Sequence, residues 1–134
     1  VRALPILGTA FLAAASNLAC GHGKPRYAFP PAETPAIGTT VEGVASWYGP
    51  GYDGKRTSSG EVFDQDALTA AHYSWAFGTR VKVTLQSTGK TVVVRINDRF
   101  PNHKGRVIDL SRGAARAIGL IGPGTGVVRL EVVS

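Results

Sequence analysis

Val92-Val93-Val94-Arg95-Ile96-Asn97-Asp98-Arg99 is a run of β-favouring residues that ends in a carboxylate and leads into Phe100-Pro101-Asn102, a turn. Side chains alternate with period two along a strand, so Val92, Val94 and Ile96 share one face. Asp98 continues that parity and is expected to point, at the strand's end, to the side of the core residues. A carboxylate aimed that way is costly unless it lies at a cleft or is paired. Asp98 therefore reads either as an acid/base residue at a cleft or as a turn carboxylate paired with Arg95 or Arg99.

Upstream, Arg80–Gln86 alternates with Val81, Val83 and Leu85 on one face, and Ser87-Thr88-Gly89-Lys90 is a turn. The two runs together predict a β-hairpin. Further out, Val41–Tyr48 reads as a strand, Gly49–Gly60 as a Gly/Ser/Thr-rich loop and Leu68–His72 as a short apolar run. Arg106–Leu110 and Val127–Val133 read as two more strands, the last with Val128, Leu130 and Val132 on one face. Ser111 is a fair N-cap for a short helix with Ala114, Ala115 and Ile118 inward and Gly119 near its end. Six short strands with one or two short helices predict a mainly β fold, a compact barrel over residues 41–134.

The formal net charge is +6, and residues 41–134 hold 12 Lys and Arg against 8 Asp and Glu. That modest basic excess suits an acidic polymer or an anionic surface. Nucleic acid is a poor fit, because the basic residues are scattered singly without interleaved aromatics. At the N-terminus, Arg2 precedes an apolar stretch from Ala3 to Ala15, then Ser16-Asn17-Leu18-Ala19-Cys20. A positive start, a short apolar stretch and small residues predict a signal peptide over residues 1–19. The stretch is too short to span a bilayer as a helix. Cys20 is the one cysteine, so no intrachain disulfide can form. Its place at the end of the signal resembles a bacterial lipobox, which implies a lipid on its sulfur and a tether to the membrane. Residues 20–40 contain Pro25, Pro30, Pro31 and Pro35 and read as a lipidated N-terminus with an extended linker.

Thr57, Ser58, Glu61, Asp64, His72, Asn97, Asp98, Arg99 and Asp109 are the polar candidates for chemistry. Cleaving a glycosidic bond needs a proton donor at the bridging oxygen and usually a second group that activates the nucleophile. A Glu, an Asp and a His fill such roles when their pKa values are pushed apart. By spacing alone these residues are not specific. Asp109, between Ile108 and Leu110 before the helix, reads as structural, helping to cap the turn at Ser111. Trp47, Tyr48 and Trp75 either stack on sugar rings or fill core; of the alternating Trp47 and Tyr48, Tyr48 is the expected cleft residue. His22, His72 and His103 lack metal-ligand spacing, so no zinc site is expected.

Six segments taken in order are far more specific: Ala45-Ser46-Trp47-Tyr48-Gly49, Thr57-Ser58-Ser59-Gly60-Glu61-Val62-Phe63-Asp64, Leu68-Thr69-Ala70-Ala71-His72, Phe77-Gly78-Thr79-Arg80-Val81, Val94-Arg95-Ile96-Asn97-Asp98-Arg99 and Gly105-Arg106-Val107-Ile108-Asp109-Leu110-Ser111. This series, across residues 43–133, resembles the rare lipoprotein A family. The resemblance implies a six-stranded double-psi β-barrel and an outer-membrane lipoprotein of the periplasm. It implies an endolytic lytic transglycosylase that cuts peptidoglycan glycan strands, preferably peptide-stripped, to 1,6-anhydro-muramyl ends. It places the catalytic residues on Asp98, the main acid/base, with Glu61 and His72. Tyr48, Thr57, Ser58, Asn97 and Arg99 are then expected to bind substrate, with no metal or organic cofactor and a monomeric chain. Two positions depart from the family pattern: Phe100 stands where Gly is usual and Ala76 where Pro is usual. Phe100, a large aromatic beside the proposed acid, motivates an alternative function, a non-catalytic expansin-like module that binds or loosens the wall. A third reading is a tethered scaffold that binds a protein partner.

Overall fold

In a computed structural model, which describes residues 28–101 and 104–134, the strands lie close to where the alternation places them. They are β1 (Thr40–Tyr48), β2 (Thr69–Ala71), β3 (Arg80–Leu85), β4 (Thr91–Asp98), β5 (Arg106–Ser111) and β6 (Thr125–Val132), with one helix, α1 (Arg112–Ile118), and a 3-10 turn at Pro50–Tyr52. The expected signal peptide, Cys20, His22, Asn102 and His103 lie outside the described residues.

The strands close into a barrel in the order β1-β5-β2-β4-β3-β6. Strands β1 and β5 run parallel, as do β2 and β4, while the other four pairs are antiparallel. Parallel neighbours need crossover connections, so the chain passes across the barrel rather than meandering round it. Inside lie Val81, Val83 and Leu85 of β3, Val92, Val94 and Ile96 of β4, Ile108 and Leu110 of β5, and Val128, Leu130 and Val132 of β6. Each set has the period-two spacing that puts its side chains on one face of a strand.

Helix α1 adds Ala114, Ala115 and Ile118 to this core. The Ala114 N–H donates to Ser111 Oγ at 3.2 Å, and Gly119 ends the helix at φ 79°. Gly113 lets the helix sit directly on the preceding loop: its N–H donates to Gln65 O at 2.8 Å. A Cβ there would overlap the Asp66 carbonyl oxygen and lie 2.8 Å from the carbonyl carbon. Backbone cannot swing aside as a side chain can, so Gly113→Ala is expected to destabilise the domain by about 1–3 kcal/mol. Urea unfolding at neutral pH checks this.

Part of the segment expected to be an extended linker is tied down. Glu33 N–H donates to Ser74 O at 2.8 Å and Ala76 N–H to Glu33 O at 2.7 Å. Gly38 N–H donates to Val132 O at 2.8 Å, so the chain is anchored to β6 before β1 begins.

Two register shifts shape the face that matters. Val44 pairs with Arg106 but Ala45 with Ile108, which leaves Val107 as an extra residue. Ala70 pairs with Ile96 but Ala71 with Asp98, which leaves Asn97 extra. Such a bulge breaks the period of two. The parity expected to carry from Ile96 to Asp98 therefore breaks at Asn97. Ile96 faces the barrel core, whereas Asp98, one bulge later, is paired with Ala71 on the opposite face.

Candidate active site

Strand pairing sets four residues in one row across four strands. Ser46 of β1 pairs with Asp109 of β5, Asp109 with Ala71 of β2, and Ala71 with Asp98 of β4. Paired residues point to the same face of a sheet, so the row forms a floor with a carboxyl group at each of two positions. A cavity of about 220 Å³ opens on it, lined by Tyr48, Tyr52, Ala71, Asp98, Arg99, Phe100, Pro101 and Asp109.

Asp98 accepts three hydrogen bonds. Its Oδ1 takes the N–H of Ser58 at 2.9 Å and of Arg99 at 2.8 Å, and its Oδ2 takes the Tyr48 hydroxyl at 3.3 Å. The two ion pairs among the described residues are Glu61–Arg95 and Asp66–Arg116, so Asp98 is not the ion-paired turn carboxylate of the alternative reading. Tyr48 stacks on Phe63 at 4.7 Å between ring centroids. Burial first, then the charges of Asp98 and Asp109, push its phenol well above the usual range. Tyr48 therefore keeps its proton beside Asp98.

The Ser58 donor is delivered by a small hairpin. Arg56 bridges Val62, Thr57 N–H donates to Glu61 O at 2.8 Å, and Gly60 N–H donates to Thr57 O at 2.9 Å. Gly60 turns the chain at φ +92°, a conformation that favours glycine. Thr57 is buried inside this hairpin, its Oγ1 2.8 Å from Ser59 Oγ. At the base, the Glu61 carboxylate meets the Arg95 guanidinium in a fork, with Nη2 to Oε2 at 2.9 Å. Hydrogen bonding by Arg95 is the main cause that holds the Glu61 carboxyl below its ordinary range. Asn97 is buried beside Glu61 and helps in the same direction, and its carbonyl accepts Ser59 N–H at 3.3 Å.

His72 is buried and joined to the site through backbone: its N–H donates to Asp98 O at 3.1 Å. Its Nδ1 accepts the N–H of Ser74 at 3.1 Å and of Trp75 at 2.9 Å. A ring nitrogen that accepts two hydrogen bonds carries no proton, so the proton of the neutral ring is on Nε2. Burial, with the Arg99 charge second, pushes its pKa down to about 4. The ring stacks on Trp75 at 4.2 Å and lines a second cavity with Val41, Tyr73, Gly105, Arg106 and Val107. Arg99 turns inward: one guanidinium nitrogen donates to Trp75 O at 2.8 Å and His72 O at 3.2 Å, and the group sits 4.1 Å over the Phe77 ring.

The structure therefore brings together Asp98, Tyr48, the Ser58 N–H and Arg99. It sets the Glu61 carboxylate and the His72 ring outside the walls of the Asp98 cavity, each holding a segment that touches Asp98. Thr57 and Asn97 also lie behind those walls. Asp109 does not cap the turn; Ser111 does, and Asp109 faces the cavity and accepts the Ser46 hydroxyl at 2.8 Å. Burial is the main cause that raises its carboxyl above the ordinary value. Its place between Ile108 and Leu110 made it read as structural in the sequence, although strand alternation turns a residue between two core positions outward. Phe100 is only 6% exposed and forms part of the cavity wall. Among the described residues no group of three or more His, Cys, Asp or Glu is gathered for a metal ion.

Residues 40–132 match the lytic transglycolase family of double-psi β-barrel domains. The probable endolytic peptidoglycan transglycosylase RlpA of Synechocystis sp. is 64% identical over 91 residues, 68% of this chain and 28% of that protein. The endolytic peptidoglycan transglycosylase RlpA of Campylobacter jejuni is 53% identical over 98 residues, 73% of this chain and 36% of that protein. The chain spans about a third of the length of these curated relatives. Among solved structures, an expansin of Clavibacter michiganensis superposes with a TM-score of 0.59 at 27% identity, over 72% of this chain and 51% of that one. A variant of that expansin in complex with cellohexaose gives 0.57 at 25% identity, over the same 72% and 51%. A Streptomyces papain inhibitor gives 0.62 at 22% identity, over 76% of this chain and 100% of that one, and shares the barrel fold.

Proposed function

Because the chain belongs to the lytic transglycolase family of double-psi β-barrels, we propose that it cleaves peptidoglycan glycan strands as an endolytic transglycosylase. The names of its relatives support the substrate. The observation that carries the reading is the Asp98 carboxylate, held by three donors on the floor of an open cavity. A lytic transglycosylase breaks the bond from muramyl C1 to the bridging oxygen and closes a ring with that sugar's own C6 hydroxyl. Asp98 takes the proton of that hydroxyl as it attacks C1. Fixing the carboxylate in place beforehand matters, since a misplacement of about 1 Å can cost on the order of 100-fold in rate. Strands stripped of peptide are the expected substrate, in the periplasm, with Cys20 as a lipid anchor to the outer membrane.

In this reading Glu61, His72 and Arg99 act by position. Glu61 pins the hairpin that brings Ser58 to Asp98, and Arg99 and His72 together hold the turn after β2 against the end of β4. Glu61→Gln is expected to change the unfolding free energy by less than about 1 kcal/mol, since the pair is half exposed. It is expected to lower the cleavage rate about tenfold or more by loosening the Ser58 hairpin. Paired unfolding and rate measurements on one preparation check both halves.

Digestion of purified, peptide-stripped glycan followed by mass spectrometry tests the function. Anhydro-muramyl ends are expected. The expansin-like alternative is favoured by one observation, the likeness to an expansin solved with cellohexaose. Tight binding to insoluble peptidoglycan with no released product would decide for it.

A further inference from the structure

Ring closure needs a proton at the leaving oxygen as well as a base at the C6 hydroxyl. Asp98 accepts three hydrogen bonds, and a second carboxyl group, that of Asp109, lines the same cavity. Asp109 sits in the same row, two strands away through Ala71, so the two backbones are roughly 10 Å apart. Both side chains line the one cavity. That backbone spacing is wide enough for a sugar ring to lie over the row between the two residues.

We propose that Asp109 is the proton donor of the reaction, a second catalytic carboxyl group that protonates the bridging oxygen while Asp98 deprotonates the C6 hydroxyl. The assignment rests on the transglycosylase reading of this cavity. Asp109 gives its proton to the bridging oxygen as the bond from muramyl C1 to that oxygen breaks. The C6 oxygen bonds to C1, and its proton passes to Asp98. One glycosidic bond breaks, one intramolecular C–O bond forms, and no water is consumed. The site ends with Asp109 ionised and Asp98 protonated, and a proton returns from Asp98 to Asp109 through solvent before the next turnover.

The surroundings of Asp109 favour its protonated form more than water does. Burial raises its carboxyl, and the Asp98 charge adds to this. The Ser46 hydrogen bond and the Arg106 charge on its own strand work the other way. Tyr48 of β1, whose phenol stays protonated, and Arg99 at the end of β4 complete the polar lining. The donor is lost as pH rises through the Asp109 pKa, so cleavage should decline on an alkaline limb that is displaced upward from that of an ordinary aspartate. Removing the Ser46 hydroxyl removes an influence that lowers that pKa, so the limb should move to higher pH.

The test compares wild type, Asp109→Asn and Ser46→Ala on two substrates. One is peptide-stripped glycan; the other is a muramyl oligomer carrying 4-nitrophenolate at C1, a leaving group that needs no proton. Asp109→Asn is expected to lose about 100-fold or more on the glycan, less than tenfold on the activated glycoside, and its alkaline limb. Ser46→Ala is expected to shift the limb upward. Equal losses on both substrates, or a limb that survives Asp109→Asn, overturn the assignment. If Asp109→Asn does not fold, an unmoved limb in Ser46→Ala overturns it. Wild-type protein that makes no anhydro ends overturns the transglycosylase reading, and the assignment with it.

Discussion

Asp98→Asn is expected to lower glycan cleavage by about a thousandfold, within the range that a positioned acid–base group contributes, while the protein stays folded. Asparagine keeps the shape of the side chain. Its carbonyl oxygen can still accept the N–H groups of Ser58 and Arg99, which reach Asp98 Oδ1 at 2.9 and 2.8 Å. Asp98 also has no ion pair among the described residues, so no guanidinium is left without its partner. What is lost is the capacity to take a proton. Binding to insoluble glycan should therefore persist, the thermal midpoint should move by only a few degrees, and product should vanish. A variant that cuts within tenfold of wild type would remove Asp98 from the chemistry. Wholesale unfolding would make it a structural carboxylate.

The second large effect concerns stability and pH. Folded His72 takes up a proton only near pH 4, whereas an unfolded histidine does so near 6.5. Between those values the unfolded chain holds more protons, so stability falls as pH falls, and nothing is lost above 6.5. A tenfold difference in proton affinity between the folded and unfolded chain is worth about 1.4 kcal/mol, so the loss between pH 7 and 4.5 comes to about 2–3 kcal/mol. The cause is concrete: a protonated Nδ1 would face the N–H groups of Ser74 and Trp75 as donor against donor. Asp109 works in the opposite sense. Its raised carboxyl takes up a proton earlier in the folded chain, so its share of the stability rises on acidification. The His72 contribution is therefore read as a difference. Wild type and His72→Gln are unfolded in urea at pH 7 and pH 4.5, and the variant, weaker at neutral pH, should lack most of the loss. Equal losses in the two proteins would contradict the assignment of the buried neutral ring.

Much of the barrel is legible in the sequence because its core is built by strict alternation. Val81-Val83-Leu85 and Val128-Leu130-Val132 announce their strands, and Ser111 with Gly119 brackets the helix, since caps are local chemistry. The order β1-β5-β2-β4-β3-β6 is not legible from periodicity, because pairing between strands distant in sequence leaves no local mark. The bulge at Asn97 is equally silent. It reverses the face of Asp98, so alternation alone leads to a cleft by a parity that the structure breaks. Asp109 reads as structural because its neighbours are apolar, although those neighbours turn it away from the core. Glu61 and His72 stand out as titratable groups, and their geometry ties them to Asp98 through the Ser58 hairpin and a backbone hydrogen bond. Phe100, a large side chain next to the acid in sequence, lies buried in the wall and leaves a cavity of about 220 Å³.

Whether Asp98 drives ring closure rather than hydrolysis is read from cleavage in water enriched in oxygen-18. Peptide-stripped glycan is digested by the wild-type chain and by Asp98→Asn, and the new ends are weighed. The expected products are anhydro-muramyl ends that carry no oxygen-18 and disappear in the variant. Reducing ends labelled with oxygen-18, or anhydro ends made equally well by Asp98→Asn, would contradict it.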